Sequence, residues 1–349
     1  MNSHIEVGSK HDPHAQARQA RQQPILLHSM SVFRELFEVI FDTREISTVV
    51  EIGVESGQVS RVYAELGASA VYCVDPHPSD EMLANLASHP ATKLVQGTSP
   101  AVLPDLPIAD LYVIDGDHNY ATVHAELSWL MANAPNAVIM LHDVLWPWAR
   151  RDLYYQPPAM DPSDRHSDSD DGPTIWHDDL TPAGFVGLGV FTCATEAGGE
   201  RNGVLTAVED ALDGVQDDWR FELVPAVFGM GIVARTSPTT DVMFERLKPF
   251  TRSRLLALME NNRIALYTRV LQMQCEAVAH ADDASRLAET ITRQRHEFEY
   301  AAMRHAGEVH ALNREVERLR GLLSQRLRPR LSSALTRVGR AASHTLTGR

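Results

Sequence analysis

TVVEIGVESG, at residues 48–57, is the segment most informative about the fold. Its first six residues form a short apolar, β-branched run that ends in glycine, which is typical of a buried parallel strand. A Gly-x-x-x-Gly turn follows, from Gly53 to Gly57, and a helical pattern begins at residue 58. Because glycine permits positive φ and lets the backbone approach a ligand closely, the stretch predicts a strand, a ligand-binding turn and a helix.

The same alternation continues along the chain. Apolar residues at helical spacing over residues 25–41 predict an amphipathic helix that enters the domain. The predicted strands then cover 48–53, 70–75, 93–96, 110–115 and 137–142, and the predicted helices cover 58–66, 79–88 and 119–132. Strands that alternate with helices in this way predict right-handed βαβ units and an α/β, Rossmann-like, mostly parallel sheet.

The pattern breaks after Asp143. Residues 144–200 are rich in Pro, Asp and Gly, which predicts an insertion that covers the active site. A predicted helix at 202–212 and two predicted strands at 219–225 and 229–235 follow. The short link between these two strands predicts an antiparallel hairpin that closes the sheet.

Residues that can carry chemistry follow the predicted strands. In an open parallel sheet, ligands bind outside the carboxyl ends of the strands. These ends read Glu51-Ile52-Gly53, Asp75-Pro76, Gln96-Gly97-Thr98, Asp115-Gly116-Asp117-His118 and His142-Asp143. Helix capping would explain one such residue at each end. It does not easily explain ligand-type residues at several adjacent ends, so we interpret these residues as a functional site.

Asp75 occupies the position, about 20 residues after the glycine turn, where an acidic side chain can accept both hydroxyls of a ribose. A turn-forming Asp before proline is the alternative. Three features disfavour an NAD enzyme. Glu51 precedes the first glycine and suits a cationic amine, Glu55 interrupts the G-x-G-x-x-G fingerprint and would repel a pyrophosphate, and a hairpin replaces the sixth parallel unit.

The sequence resembles the class I S-adenosylmethionine-dependent methyltransferases over residues 25–236. The resemblance is carried by VVEIGVESGQVS (49–60), VYCVDPHP (71–78), LVQGTSPAVLP (94–104), LYVIDGDHNY (111–120) and VIMLHDV (138–144). It implies S-adenosylmethionine as the cofactor. The cofactor-binding residues that it implies are Glu51, Gly53, Ser56 and Gly57 around the methionine end, Asp75 at the ribose, Gly97 and Thr98 near the adenine, and Asp115. Glu55 departs from the family, where many members have glycine.

A narrower likeness is to the macrocin-type sugar O-methyltransferases and the cephalosporin-modifying methyltransferase group. It implies a metal site at Asp115, His142 and Asp143, with Asp117 close by. Because His142 stands where that group usually has Asp or Glu, the implied Mg²⁺ has Mn²⁺ or Fe²⁺ as alternatives. His118 and His142 are the candidate catalytic residues that could take a hydroxyl proton. A loop histidine bonded to the backbone is an equal alternative for His118.

Composition bounds the function further. The 349 residues are 44% hydrophobic and 22% charged, as in ordinary globular proteins, and the net charge of −14 disfavours nucleic-acid binding. The three cysteines are far apart and form no CxxC pair, which suits a reducing compartment. The sequence has neither an apolar run of roughly 18 residues nor a signal peptide. We therefore expect a cytoplasmic protein without a transmembrane segment.

The chain divides into five predicted segments. These are a disordered leader (1–24), the methyltransferase domain (25–238), a helical linker (239–280), a coiled coil (281–325) and a basic tail (326–349). The a and d positions of a heptad that begins at residue 281 are apolar except at Arg295 and His305, which favours a coiled coil and a homo-oligomer over a helix packed on the body. The tail has six Arg and no acid, and Pro329 is expected to break the helix.

The function expected from these residues is methyl transfer to a hydroxyl of a small acceptor, a sugar or another polyol-like molecule, assisted by a divalent metal. Metal-independent methylation of oxygen or nitrogen is one alternative. A non-catalytic scaffold, with a cofactor site made degenerate by Glu55, is another. An NAD-linked oxidoreductase is the least favoured.

Overall fold

The computed structural model describes residues 9–22, 30–155, 160–215 and 218–345. The helices are α1 (Ala15–Gln22), α2 (Arg34–Thr43), α3 (Ser60–Glu65), α4 (Asp80–Ala87), α5 (Tyr120–Asn133), α6 (Val204–Asp213), α7 (Pro238–Thr251) and α8 (Arg254–Thr345). The strands are β1 (Thr48–Ile52), β2 (Ala70–Asp75), β3 (Thr92–Gln96), β4 (Leu111–Ile114), β5 (Val138–His142), β6 (Leu153–Tyr154), β7 (Asp168–Ser169), β8 (Thr192–Ala194), β9 (Trp219–Val224) and β10 (Met230–Arg235). The chain separates into two compact units, Met1–Cys275 and Glu276–Arg349.

The first unit is built on a seven-stranded sheet in the order β3-β2-β1-β4-β5-β10-β9. Strands β1 to β5 pair in parallel. Strand β10 runs antiparallel to both β5 and β9. The predicted fold class, a Rossmann-like methyltransferase sheet with an antiparallel last strand and a long C-terminal helix, is therefore confirmed. The strand order reverses between β1 and β4, which is where such sheets bind ligands.

Both faces of the sheet are covered by helices. Helices α2, α3, α4 and α7 contribute to the apolar core on one face, and α5 and α6 contribute to the core on the other. Every residue of β4 and β5 is buried. Burial on both faces explains why these strands read as continuous apolar runs, and it makes the polar residues at their ends conspicuous.

The insertion at 144–200 carries a small antiparallel sheet in the order β6-β8-β7. Buried Asp152 anchors it to the helices that cover the main sheet. The Asp152 carboxylate accepts hydrogen bonds from the backbone nitrogens of Tyr120 and Gly203, both at 2.7 Å, and from the Tyr154 hydroxyl at 2.9 Å. These bonds connect the insertion to the starts of α5 and α6.

Replacing Asp152 is expected to destabilise the protein strongly. Asp152→Ala leaves two buried backbone donors without an acceptor. We expect a loss of about 3 kcal/mol in the free energy of unfolding, measured by urea denaturation. Asp179→Ala, in an exposed part of the same insertion, is the matched control and should change stability little. Equal losses in the two variants would contradict the anchoring role.

Some predicted boundaries differ from the structure. The entering helix appears as a 3-10 turn, Met30–Phe33, followed by α2, and residues 25–29 lie outside the described residues. Helix α1 occupies part of the segment expected to be a disordered leader. The predicted break at Pro329 is wrong, because α8 continues to Thr345. A proline removes only one backbone donor, and the neighbouring turns keep their own hydrogen bonds.

Across the described part of the chain, no helix is long and apolar enough to cross a membrane.

Candidate active site

The turn after β1 forms the floor of the site. Gly53 has φ +83°, and a Cβ atom at this position would lie 2.2 Å from the carbonyl oxygen of Asp115. The Asp115 nitrogen donates to the carbonyl of Ile52 at 2.8 Å. The ends of β1 and β4 therefore meet backbone to backbone, and only glycine fits between them. Glu55, at φ +51°, adopts the left-handed conformation that a glycine would adopt, with its side chain exposed.

Asp75 links this turn to the next strand. Its Oδ2 accepts from the Val54 nitrogen at 3.2 Å, and its Oδ1 accepts from the His77 nitrogen at 2.8 Å. The Gly97 nitrogen donates to the Asp75 carbonyl at 3.3 Å. The residues predicted for the ribose and for the adenine are thus neighbours at the ends of β2 and β3.

Two other predicted cofactor residues, Ser56 and Gly57, lie at the end of the same turn. The carbonyl of Ser56 accepts from Asn85 Nδ2 at 2.7 Å, which fixes the turn against α4. Gly57 has φ +75° and lies against Leu86 of α4. The predicted cofactor roles stay predictions for all of these residues: Gly53, Ser56, Gly57, Asp75, Gly97, Thr98 and Asp115.

Glu51 is engaged inside the protein. Its carboxyl group accepts from the Ser60 hydroxyl and from the Tyr63 hydroxyl, the latter at 3.3 Å. The side chain is buried, and burial raises the pKa of Glu51 to about 8. In the structure this carboxyl group accepts hydrogen bonds from two residues of α3. The predicted contact with a cationic amine stays a prediction.

The stability of the protein is expected to fall as the pH rises from about 4.5 to 8. Burial raises the pKa of Glu51 and of Glu126 to about 8. In the unfolded chain these carboxyls ionise near pH 4.3, so between the two values the folded state binds more protons and loses stability with rising pH. Below the unfolded pKa both states are protonated and the penalty is absent.

This prediction is tested with Glu51→Gln by urea unfolding at pH 5 and pH 8. The substitution should reduce the decrease between these pH values by roughly 3–4 kcal/mol. Exposed Glu289→Gln serves as the control. A decrease unchanged by Glu51→Gln would show that this carboxyl group ionises normally.

His142 at the end of β5 is held at both ring nitrogens. Nε2 lies 2.8 Å from the carbonyl oxygen of Val227, which can only accept, so Nε2 carries a proton. Nδ1 lies 3.0 Å from Asp115 Oδ1 and 3.8 Å from Asp143 Oδ1. Although burial opposes the charge, these carboxylates raise the pKa of His142 to about 9. The ring is therefore an imidazolium at neutral pH, paired with Asp115.

His118 faces the same carboxylates from the other side. Its Nδ1 lies 3.3 Å from Asp143 Oδ2, and its Nε2 lies 4.0 Å from Asp115 Oδ1. The side chain is buried, and its ring packs 6.2 Å from that of Tyr155. A histidine whose one nitrogen faces a carboxylate keeps the other available for proton transfer. Both predicted catalytic histidines thus lie in one cluster, the acid–histidine cluster: Asp115, His118, His142 and Asp143.

The predicted metal site is not supported. Among the residues that the structure describes, no group of three or more His, Cys, Asp or Glu side chains is arranged to hold a metal ion. The donor chemistry gives the reason, because a metal needs a ring nitrogen with a free lone pair, whereas both nitrogens of His142 face acceptors at hydrogen-bond distance. Asp117, predicted to lie near the metal, contacts the Thr122 hydroxyl at 3.5 Å.

Sequence reasoning missed the residues that hold His142 in place. The Val227 and Phe228 nitrogens each donate at 2.8 Å to the carboxylate of Glu260, on α8. Both residues have positive φ, and Arg263 pairs with Glu260 at 2.7 Å. This clamp fixes the Val227 carbonyl that receives the His142 proton. A lone Glu on a distant helix gives no local sequence signal for such a role.

The glycine turn and the acid–histidine cluster lie at the point where the strand order of the sheet reverses, between β1 and β4. Residues 50–144 match the model of a family described as a methyltransferase domain. Over these residues the chain is therefore similar to a methyltransferase domain. The macrocin-type subgroup is not confirmed. No curated protein sequence matches the chain significantly.

The structure is also similar to solved methyltransferases. One is the O-methyltransferase TomG of Streptomyces achromogenes, in complex with S-adenosylmethionine, at 15% identity over 64% of this chain and 87% of that chain, with a TM-score of 0.38. Another is an O-methyltransferase of Bacillus cereus, in complex with S-adenosylhomocysteine, at 11% identity over 63% and 88%, also with a TM-score of 0.38. These remote likenesses assign neither an acceptor nor a metal to the chain.

Proposed function

We propose that this protein transfers a methyl group from S-adenosylmethionine to a hydroxyl group of a small acceptor, in the class of sugars and other polyols. The observation that carries the proposal is the position of the acid–histidine cluster. It lies at the ends of β4 and β5, beside the β1 turn, with Asp75 at the end of β2 on the other side of β1. A methyl donor bound at that turn would be next to a histidine able to take a proton.

The residues at the ends of β1 to β3 fit the donor. The Asp75 carboxylate is half-buried beside the turn, which suits a group that accepts from ribose hydroxyls. The Gly53 turn brings bare backbone to the same place. When bound, S-adenosylmethionine supplies an electrophilic methyl group, and the protein must align the acceptor oxygen with it.

His118 is the group that we assign to proton removal. With Nδ1 facing Asp143 at 3.3 Å, the ring can present Nε2 to the acceptor. The acceptor oxygen forms the bond to the methyl carbon, the carbon–sulfur bond breaks, and the hydroxyl proton passes to His118. Proton removal is needed because a neutral hydroxyl is a weak nucleophile.

The carboxylates favour a hydroxylated acceptor. Asp143 Oδ1 is buried without a hydrogen-bond donor among the described residues, so the cluster has unused acceptor capacity. The second hydroxyl of a vicinal diol could donate to such an oxygen. A protonated amine at this oxygen would be repelled by the positive charge of the His142 imidazolium, which lies 3.8 Å from the oxygen.

Metal assistance is the less favoured form of the proposal. It would require His142 to exchange its contact with Asp115 for a metal bond. The metal-independent reaction uses the cluster as it stands, with the imidazolium offsetting the negative charge of the two carboxylates.

The test uses S-adenosylmethionine labelled in the methyl group and a panel of hexoses, inositol and catechol, with primary amines as the nitrogen-acceptor arm. We expect label transfer to a hydroxyl compound that persists with EDTA present. Transfer only to amines would overturn the hydroxyl assignment. Transfer abolished by EDTA and restored by Mg²⁺ or Mn²⁺ would establish the metal-assisted form instead.

A further inference from the structure

The described part of the second unit is the C-terminal part of α8, and its described large apolar side chains are exposed. Between residues 276 and 326, the large apolar side chains are more than 40% exposed, among them Ile291, Phe298, Val309, Leu312, Val316, Leu319 and Leu323. The segment at residues 281–323 would be about 63 Å long at 1.5 Å per residue. A helix with such an uncovered stripe gains most of its stability from a partner.

The stripe has coiled-coil spacing. From Val309 to Leu323 the apolar residues follow one another at intervals of three, four, three and four residues. This assigns Val309, Val316 and Leu323 to a positions, and Leu312 and Leu319 to d positions. We propose that this stripe pairs with the same stripe of a second copy of the chain, as a parallel two-stranded coiled coil in register.

The residue types favour two strands over a larger bundle. β-branched residues at a with leucine at d favour two parallel strands, and Val309-Leu312-Val316-Leu319 has this pattern. Arg295 occupies an a position. A charged residue there is tolerated better in the partly solvent-exposed interface of a dimer than in the closed core of a larger bundle. The Arg295 side chain reaches Glu299, which flanks the seam, at 3.5 Å in the same helix.

Charge supports a second copy as the occupant. In a parallel pair in register, Glu315 at a g position faces Arg320 at the following e position of the other chain, and symmetry creates this attraction twice. In the single chain these groups pair only locally, Glu315 with Arg318 and Arg320 with Glu317. Residues 276–326 carry eight Arg and nine acidic residues. Like charge therefore does not oppose self-association of this segment.

The experiment uses the full chain in analytical ultracentrifugation. We expect a dimer for the wild type and a monomer for Leu312→Lys with Leu319→Lys. The matched control places two lysines on the outer face of the same helix, Ala311→Lys with Ser324→Lys, and should stay dimeric. Circular dichroism checks that the methyltransferase unit of each variant remains folded. A monomeric wild type, a larger oligomer, or a dimer unaffected by the seam lysines would overturn the proposal.

Strand direction is tested separately with Leu312→Cys under mild oxidation. In a parallel pair in register the two introduced cysteines face each other, at a distance that a disulfide can bridge, so we expect a cross-linked dimer that the wild type does not form. Cys73 and Cys193 are buried and Cys275 lies outside the heptads, so the wild type measures the background. A dimer without this cross-link would overturn the parallel register.

Discussion

Gly53→Ala is expected to abolish binding of S-adenosylhomocysteine and to lower the free energy of unfolding by about 3 kcal/mol. The added Cβ would lie 2.2 Å from the carbonyl oxygen of Asp115 and 2.5 Å from Gly116 Cα. Both are backbone atoms that cannot move without separating β1 from β4. The left-handed φ of +83° adds strain for any side chain. The loss should appear in urea unfolding and in calorimetric titration.

Gly67→Ala provides the matched control. Gly67 also has positive φ, +117°, but a Cβ there would meet nothing within 4 Å. The control should therefore cost only the conformational strain, about 1–2 kcal/mol, and leave binding unchanged. If the two variants lose the same stability and both bind, the close approach of the β1 and β4 ends is not essential to the site.

His118→Ala is expected to lower the rate of methyl transfer by roughly 100- to 10,000-fold. The substitution removes the proposed proton acceptor beside Asp143 and leaves the β1 turn and Asp75 intact. Binding of S-adenosylhomocysteine should thus remain within a few-fold of the wild type. The rate is measured with the acceptor found in the labelled-methyl panel.

The control for this prediction is His166→Ala, which removes a histidine in the insertion whose ring contacts the Arg201 carbonyl. It should retain most of the activity. If the His118 variant has wild-type activity, His118 does not accept the proton. The alternative, a structural loop histidine, would then be favoured.

The order of the elements was predictable from the sequence because burial on both faces imposes continuous apolar runs. β2 has the predicted bounds, Ala70–Asp75, and β5 differs from its prediction by one residue. The antiparallel hairpin was predictable from the short link between its strands. The side chains that meet at the strand ends were also predictable, since the carboxyl ends of parallel strands share one edge.

What the sequence could not show was which groups each side chain contacts. Glu51 was expected to face a ligand, but its hydrogen bonds are to Ser60 and Tyr63, and strand alternation alone does not reveal such neighbours. His142 was expected to bind a metal. The proton on its Nε2 is held by the Val227 carbonyl, 85 residues away in the chain, so this contact depends on tertiary structure. The predicted coiled coil stays a prediction, because pairing is a property of two chains.

Calorimetric titration with S-adenosylhomocysteine tests for an S-adenosylmethionine site at the ends of β1 and β2. We expect the wild type to bind it, with EDTA present, and Asp75→Ala to bind roughly 10- to 100-fold more weakly, because hydrogen bonds to a charged acceptor are lost. Exposed Asp105→Ala should bind as the wild type does. A wild type that does not bind, or an Asp75 variant that binds equally well, would contradict the account.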